Sequence, residues 1–449
     1  MEKTVFKENK MGIMPVGKLL VSMSLPAMFS MMIQALYNIV DSIFVSKFSE
    51  KALTAVSLAF PIQMLMFSFA IGTSIGICSV VSRRLGEKKE DVASKAAQTG
   101  LTMMYVLSLA FMVAGFTLME SFFKLYTDDV QLVKMGSTYL SICSVLSFGC
   151  FIQAFCEKVM QGTGDTIHPM ITQISGAIFN IIFDPILIFG YLGFPSMGIA
   201  GAAIATVMGQ ILSMILGIIF IKRNRYIAVK FRKIEYDKQA AKDINKVGWP
   251  SVIMQGIGTI MTSLMNAILI SYDILATTVF GVYFKLQSFI FMPVFGLNQG
   301  LMPILGFNFG AKNRQRMLKA LKIGISTAFV IMVCGTLIFT FFPDVLLDMF
   351  SASAKMLEIG CPALKKISLS FPIAAFLIVI GALFQAMGDG YLSMITSIVR
   401  QIVLLIPAAF IFGRLWGLDA VWYSFIFAEA ISAVMNVFFF RFELKKLNF

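Results

Sequence analysis

Twelve apolar segments, each long enough to cross a bilayer, constrain this chain more than any other feature. A helix needs roughly 20 mostly apolar residues to span the hydrocarbon core, and helices satisfy their own backbone hydrogen bonds there. A mean hydropathy of +0.84 and a charged fraction of 14% fit this pattern. The segments cover residues 19–46, 54–82, 97–119, 137–157, 168–190, 199–221, 247–270, 277–305, 320–342, 362–386, 392–413 and 420–440. We therefore predict an all-α membrane protein with twelve transmembrane helices, and we expect the first to be retained rather than cleaved as a signal peptide.

The placement of basic residues orients these predicted spans. If the N-terminus is cytoplasmic, 27 Lys and Arg residues fall on the cytoplasmic side, 8 on the opposite side and 2 within spans. This asymmetry is the positive-inside distribution. It predicts that both termini and the basic loop 222–246 are cytoplasmic and that the protein lies in the cell membrane, in contact with the lipid bilayer. Orientation accounts for the net charge of +13, so we expect no nucleic-acid partner.

An internal repeat at a constant offset of 224 residues divides the chain. The matched pairs are Pro26 and Pro250, Gln63 and Gln287, Gly72 and Gly296, Gly76 and Gly300, Gly86 and Gly310, Lys88 and Lys312, Gly164 and Gly388, and Asp165 and Asp389. Six spans per half give both halves the same orientation, as in a parallel repeat. The sequence predicts an N-terminal lobe at 1–221, an inter-lobe loop at 222–246, a C-terminal lobe at 247–449 and a central cavity between the lobes.

Two carboxylates and two neutral polar residues lie within apolar spans of the first half. Asp41 is near the outer end of span 1, Asp184 is near the outer end of span 5, and Thr206 is at a similar depth in span 6. Asn180 precedes Asp184 by four residues and shares its helix face. Ionisable groups inside a bilayer are costly and usually serve a function. We interpret the group as a site for Na⁺ or a shared proton, and a purely structural polar network is the alternative.

Pro26 lies inside span 1, where it removes a backbone hydrogen bond and favours a bend. The sequence does not distinguish between a fixed bend and a moving hinge at Pro26.

The second half lacks the carboxylates of the first. Its charged residues within spans are Lys285, Arg400 and Glu429. Lys285 and Glu429 lie at similar depth, which predicts either a buried structural ion pair between them or a role for Lys285 in the substrate path. Arg400 is nearer the inner face, where its side chain could extend to the interface.

Several enzyme and cofactor signatures are missing from the sequence. It has no GxxxxGK[ST] phosphate-binding loop and no GxSxG motif. The single histidine, His168, has no neighbouring ligand pattern for zinc. We therefore expect no enzymatic activity, no cofactor and no metal beyond a possible coupling Na⁺.

These residues resemble the multidrug and toxic compound extrusion (MATE) family, and more closely its DinF-like and MepA-like branch. The resemblance covers essentially the whole chain and is carried by LPAMFSMMIQALYNIVDSIFVSKF with Pro26 and Asp41, the GTGD and MGDG turns, FNIIFDP and GAAIAT. The NorM-like branch instead uses acids in spans 7 and 10, which this chain lacks. The resemblance implies a cation-binding cluster in the N-terminal lobe made of Asp41, Asn180, Asp184 and Thr206, with Tyr37 beside it.

The resemblance also implies a function, which is efflux of amphipathic, often cationic drugs in exchange for H⁺ or Na⁺ by alternating access. A content of 31 Met and 44 Phe fits a surface that can repack around unlike ligands. We expect a monomer. One alternative is a flippase for lipid-linked oligosaccharides, and another is a non-transporting membrane scaffold. The sequence leaves open the coupling ion and the substrates.

Overall fold

The computed structural model describes residues 8–350 and 352–446, without the side chains of residues 38, 39, 41–43, 46, 50 and 446. Within these residues the regular secondary structure is helical, with one 3₁₀ turn at Tyr191–Gly193 and one π-helical segment at Val399–Leu404. Ten helices are long and apolar enough to cross a membrane, and two further spans are helix pairs bent by 46° and 48°. The predicted all-α fold with twelve spans is confirmed.

The helices of the first half are α1 (Lys10–Ile13), α2 (Val16–Phe48), α3 (Glu50–Gly86), α4 (Glu90–Thr117), α5 (Met119–Lys124), α6 (Val130–Val145), α7 (Phe148–Gly162), α8 (Ile167–Phe189) and α9 (Ile199–Lys222). Those of the second half are α10 (Lys238–Ile270), α11 (Ile274–Gly310), α12 (Arg314–Phe341), α13 (Pro343–Asp348), α14 (Ala354–Ser368), α15 (Phe371–Met387), α16 (Gly390–Ile398), α17 (Leu405–Trp416), α18 (Leu418–Val421) and α19 (Tyr423–Lys446).

The sequence repeat reappears in the helix boundaries. Helices α3 and α11, α4 and α12, and α5 and α13 each begin and end at positions that differ by 224. The two bent spans, α6 with α7 and α14 with α15, also occupy equivalent places in the two halves. The two halves therefore repeat the same order of helices, including the interruption of the fourth span.

Two turns show that the repeat extends to individual backbone angles. Lys88 and Lys312 both adopt left-handed conformations, with φ of 59° and 56°, in the turns after α3 and α11. Gly164 and Gly388 end α7 and α15 with φ of 94° and 95°. A left-handed residue lets the chain reverse while the last carbonyls of the helix stay hydrogen-bonded. Equivalent turns therefore impose the same backbone geometry on both halves.

The contacts between residues divide the chain into two compact units, one of Phe29–Val252 and one of Met1–Met28 with Ile253–Phe449. In the first unit, a Cβ atom added at Gly76 would lie 2.4 Å from the Ile244 carbonyl oxygen of α10. In the second, a Cβ atom at Gly300 would lie 2.7 Å from the backbone of Met23 on α2. These repeat-related glycines thus let the first part of α10 and the first part of α2 pack against α3 and α11, respectively. The predicted lobes 1–221 and 247–449 follow chain order and remain a prediction.

The loop between α9 and α10 is fastened to α4 by side-chain hydrogen bonds. The Gln98 amide nitrogen donates to the carbonyl oxygens of Lys230 at 3.1 Å and Lys233 at 2.5 Å. The Tyr105 hydroxyl donates to the Phe231 carbonyl at 2.8 Å. Within the loop, the Lys233 ammonium beside the half-buried Glu235 lowers the pKa of that carboxyl. The basic loop is therefore an ordered part of the first unit.

Candidate cation-binding site

Helix α8 places Asn180 and Asp184 on one face, as their spacing predicts. Asp184 is fully buried and Asn180 is 2% exposed. Pro185 follows Asp184 inside the helix and supplies no backbone N–H. Gly190 then ends the helix with a φ of 80°. The local sequence thus builds an apolar helix that carries an amide and a carboxylate close to its C-terminal end.

Asn180 links Asp184 to α9. Its amide nitrogen donates to Asp184 Oδ2 over 2.6 Å, and its amide oxygen accepts from the Thr206 hydroxyl at 3.2 Å and the Thr206 backbone N–H at 3.1 Å. This orientation of the amide is assigned from its neighbours, because the opposite one would set oxygen against the carboxylate and nitrogen against the N–H. The structure therefore brings together three of the residues predicted from the sequence.

Small residues allow α8 and α9 to approach closely enough for this contact. A Cβ atom added at Gly201 would lie 2.5 Å from the Leu187 carbonyl oxygen, and one at Gly209 would lie 2.8 Å from the Gly176 carbonyl oxygen. The Ser213 hydroxyl also donates to the Thr172 carbonyl at 2.8 Å. Close backbone approach through small residues is a common way for membrane helices to pack. Thr206 is carried on the same helix as these contacts.

The predicted contribution of α2 is described only in part. Asp41 lies within this helix, but its side chain is outside the described residues, so its membership of the cluster stays a prediction. Tyr37 is half-buried and lies four residues before Asp41, on the same helix face. Pro26 lies inside the continuous helix, two residues before the point where the compact units divide. A bend or hinge at Pro26 also stays a prediction.

A second buried carboxylate, Glu157, was missed by the sequence analysis. Glu157 lies on α7 and is 6% exposed. The Gln153 amide nitrogen donates to its Oε1 at 3.0 Å, and the Gln173 amide nitrogen of α8 donates to its Oε2 at 2.6 Å. The Gln173 amide oxygen in turn accepts from the Ser30 hydroxyl of α2. These contacts form a polar cluster across three helices.

Glu157 was missed because it lies at the predicted end of span 4, where a charged residue is expected to face water and does not indicate a buried site. Helix α7 continues to Gly162 and buries it. One signal in the sequence could have found it. Gln153 and Glu157 have the amide-to-carboxylate spacing of four residues that Asn180 and Asp184 also have.

The ion pair that the sequence predicted between Lys285 and Glu429 is wrong in its cation. Glu429 of α19 accepts from Arg400 at 2.9 Å. The Lys285 ammonium instead lies 5.9 Å from the centre of the Phe350 ring. Arg400 belongs to the π-helical segment Val399–Leu404. The sequence predicted Lys285 as the partner because it lies at a similar depth in the bilayer to Glu429. Depth does not reveal how each helix is rotated about its axis, and this rotation decides which cation faces Glu429.

Comparison with known proteins agrees with this architecture. The MatE family model matches residues 26–186 and again residues 250–411. A FAD transporter of Shewanella oneidensis is 25% identical, over 88% of each chain. The multidrug export protein MepA of Staphylococcus haemolyticus is 26% identical, over 94% of this chain and 93% of its own length. A solved structure of an outward-facing multidrug resistance MATE transporter superposes with a TM-score of 0.92 at 25% identity, over 99% of both chains.

Proposed function

The chain belongs to the MatE family, in its MepA-like branch, and on that premise we propose that it exports amphipathic, often cationic compounds in exchange for H⁺ or Na⁺. It is a transporter and a multi-pass membrane protein, not an enzyme. The exchange mechanism, the coupling ion and the substrate class belong to the proposal. The proposal also includes a location in the plasma membrane, cytoplasmic termini and a monomeric state.

The observation that carries the proposal is the environment of Asp184. A fully buried carboxylate is held by the Asn180 amide, which is itself held by the Thr206 hydroxyl. Oxygen atoms from carboxylate, amide and hydroxyl groups suit Na⁺, and a carboxylate in this setting can equally take up a proton. Neutralisation by either ion removes a charge that is expensive inside a bilayer. Asp184 is thus suited to exchange an ion during transport.

Coupling requires that the ion and the substrate favour different conformations, since a ligand shifts an equilibrium only by its differential affinity. In the proposed cycle, one H⁺ or Na⁺ from outside binds at the site and neutralises Asp41. The change alters the packing of α2 near Pro26, closes the substrate site and releases the substrate outward. Release of the ion to the cytoplasm then restores the carboxylate charge and resets the site for the next substrate. No cofactor takes part in this scheme.

The substrate class rests on the relatives and on composition. One relative is named for multidrug export and another for FAD transport, so the family tolerates different solutes on one fold. Aromatic faces attract organic cations, and this chain has 44 Phe and 31 Met. We therefore place hydrophobic cations first among the candidate substrates.

The test uses Asp41→Asn and Asp184→Asn in proteoliposomes. Each variant should lose ethidium transport driven by a pH or Na⁺ gradient and should still bind ethidium, because asparagine keeps the shape of aspartate but cannot exchange its charge. Thr117→Val, at an exposed helix end, is the control and should transport normally. Gradient-driven transport of FAD in place of ethidium would reassign the substrate. Normal ion-dependent transport by Asp184→Asn would eliminate the coupling model.

A further inference from the structure

We propose that Glu157 is a second proton-binding carboxylate, in series with Asp184 and nearer the cytoplasmic end of the transporter, where it releases protons to the inside. This inference rests on the proposed function and adds to it a site for the leaving proton. It is drawn from three features of the structure, which are the hydrogen bonds of Glu157, its charged surroundings and its alignment with Asp184.

The hydrogen bonds of Glu157 provide for both of its protonation states. The amide nitrogens of Gln153 and Gln173 donate to different carboxylate oxygens, which stabilises the ionised form. The Thr172 hydroxyl lies 3.4 Å from Oε1 and is also placed to donate to the Pro169 carbonyl at 2.7 Å. With its hydrogen directed to Pro169, Thr172 can accept a hydrogen bond from the protonated carboxyl. Glu157 can therefore gain and lose a proton without losing its partners.

The titratable groups that interact with Glu157 lie on its own helix, α7. Its own helix α7 carries Lys158, whose ammonium donates to the Gln161 side chain at 2.8 Å. Helix α8 contributes the neutral side chains of Thr172 and Gln173. The other titratable neighbours of Glu157 are the thiols of Cys150 and Cys156 on α7. The Cys78 thiol of α3 interacts with Lys158. A positive charge on Lys158 favours the ionised carboxylate of Glu157. Glu157 is thus the carboxyl group of this cluster that can bind and release a proton.

Glu157 and Asp184 are connected by one face of α8. Gln173, which contacts Glu157, precedes Asn180 by seven residues and Asp184 by eleven, and about 3.6 residues per turn puts the three within a narrow arc. At about 1.5 Å per residue, Gln173 and Asp184 are about 16 Å apart along the helix. The two carboxylates therefore lie near opposite ends of the same polar stripe.

Helix α2 has a matching stripe by residue position. Ser30, which donates to Gln173, precedes Tyr37 by seven residues and Asp41 by eleven. The predicted topology makes α2 and α8 run in the same direction, toward the outer face. The Ser30 to Gln173 contact then marks the inner end of both stripes. When the protonated carboxyl of Asp184 releases its proton, the proton would travel inward along these side chains and intervening water to the Glu157 carboxylate. Glu157 then releases the proton to the cytoplasm.

The experiment compares Glu157→Gln with wild-type protein in proteoliposomes, using ethidium as the probe. With an imposed pH gradient of one unit, one-for-one exchange allows roughly tenfold accumulation in the wild type, because one pH unit is a tenfold ratio of proton concentrations. Glu157→Gln should accumulate ethidium less than about twofold. Its ethidium–ethidium exchange without a gradient should stay within about twofold of wild type. Glu157→Asp, which keeps the carboxyl, should restore accumulation.

Two controls separate this role from a structural one. Glu120→Gln removes an exposed carboxylate paired with Lys124 and should behave as wild type. Gln173→Met leaves Glu157 in place but removes the donor to Oε2, so the pH midpoint of ethidium transport should rise by about one unit. This second variant keeps the test valid if Glu157→Gln fails to fold.

The outcomes distinguish the inference from the proposed function. Wild-type accumulation by Glu157→Gln, or an unchanged pH midpoint in Gln173→Met, would overturn the inference while leaving ion-coupled export intact. Lack of any pH- or Na⁺-driven accumulation by the wild-type protein would instead refute the proposed function itself.

Discussion

The ion pair between Arg400 and Glu429 makes a quantitative prediction about the second half. Arg400 Nη1 lies 2.9 Å from Glu429 Oε1, and their side chains are only 22% and 15% exposed. Glu429 Oε2 is buried without a hydrogen-bond partner among the described residues. Arg400→Met would therefore leave a buried carboxylate without its cation. We expect a loss of about 3 kcal/mol, since removal of one partner of a buried ion pair typically costs this much.

The double variant is the informative one. Arg400→Met with Glu429→Gln removes both charges, and replacement of a buried pair by neutral residues is often close to neutral in stability. We expect the double variant to lie within about 1 kcal/mol of wild type. The two single losses should thus be strongly non-additive.

Lys285→Met is the matched control, because depth alone had paired Lys285 with Glu429. The contact of Lys285 with the Phe350 ring at 5.9 Å is worth about 0.5–1 kcal/mol at most. Its effect should add to that of Glu429→Gln, as for residues that do not share a contact.

The measurement is the apparent unfolding temperature of the purified variants in one detergent, with abundance in the membrane as a second readout. Arg400→Met should unfold at the lowest temperature, the Arg400→Met/Glu429→Gln double variant should recover most of the loss, and Lys285→Met should remain near wild type. Rescue of Glu429→Gln by Lys285→Met, with no rescue by Arg400→Met, would refute the pairing.

Two further predictions concern the membrane topology and the repeated turns. Single cysteines at Lys230 and Ser196, both exposed, should react with impermeant reagents from opposite sides of the membrane; labelling from one side would contradict the predicted orientation. Lys88→Gly and Lys312→Gly should each raise stability by up to about 1 kcal/mol, because glycine accepts the left-handed backbone without steric cost. Lys95→Gly, inside α4, is the opposite control and should lower stability by about 1 kcal/mol; thermal unfolding that shows the same sign for all three would contradict the strain argument.

The candidate site was partly predictable because some of its contacts are local. Asn180 and Asp184 share a helix face by spacing, and Thr206 lies at a similar depth in the next span, so the sequence grouped the three before the structure placed them together. Glu157 was not found, although Gln153 lies four residues before it. Its hydrogen-bond partner Gln173, which Ser30 contacts in turn, comes from another helix. No local pattern specifies how those helices are rotated toward one another.

The sequence by itself determined the number of spans and the repeat. Both follow from properties that are written along the chain, since a bilayer requires long apolar helices and a duplicated segment keeps its register of glycines and turns. The tertiary structure alone decided which polar groups meet, as shown by Glu429 with Arg400 instead of Lys285 and by the fastening of the loop before α10 to Gln98 and Tyr105. The physical reason is that a polar group inside an apolar environment must find a partner within a few ångströms. Helix rotation and packing select that partner in three dimensions.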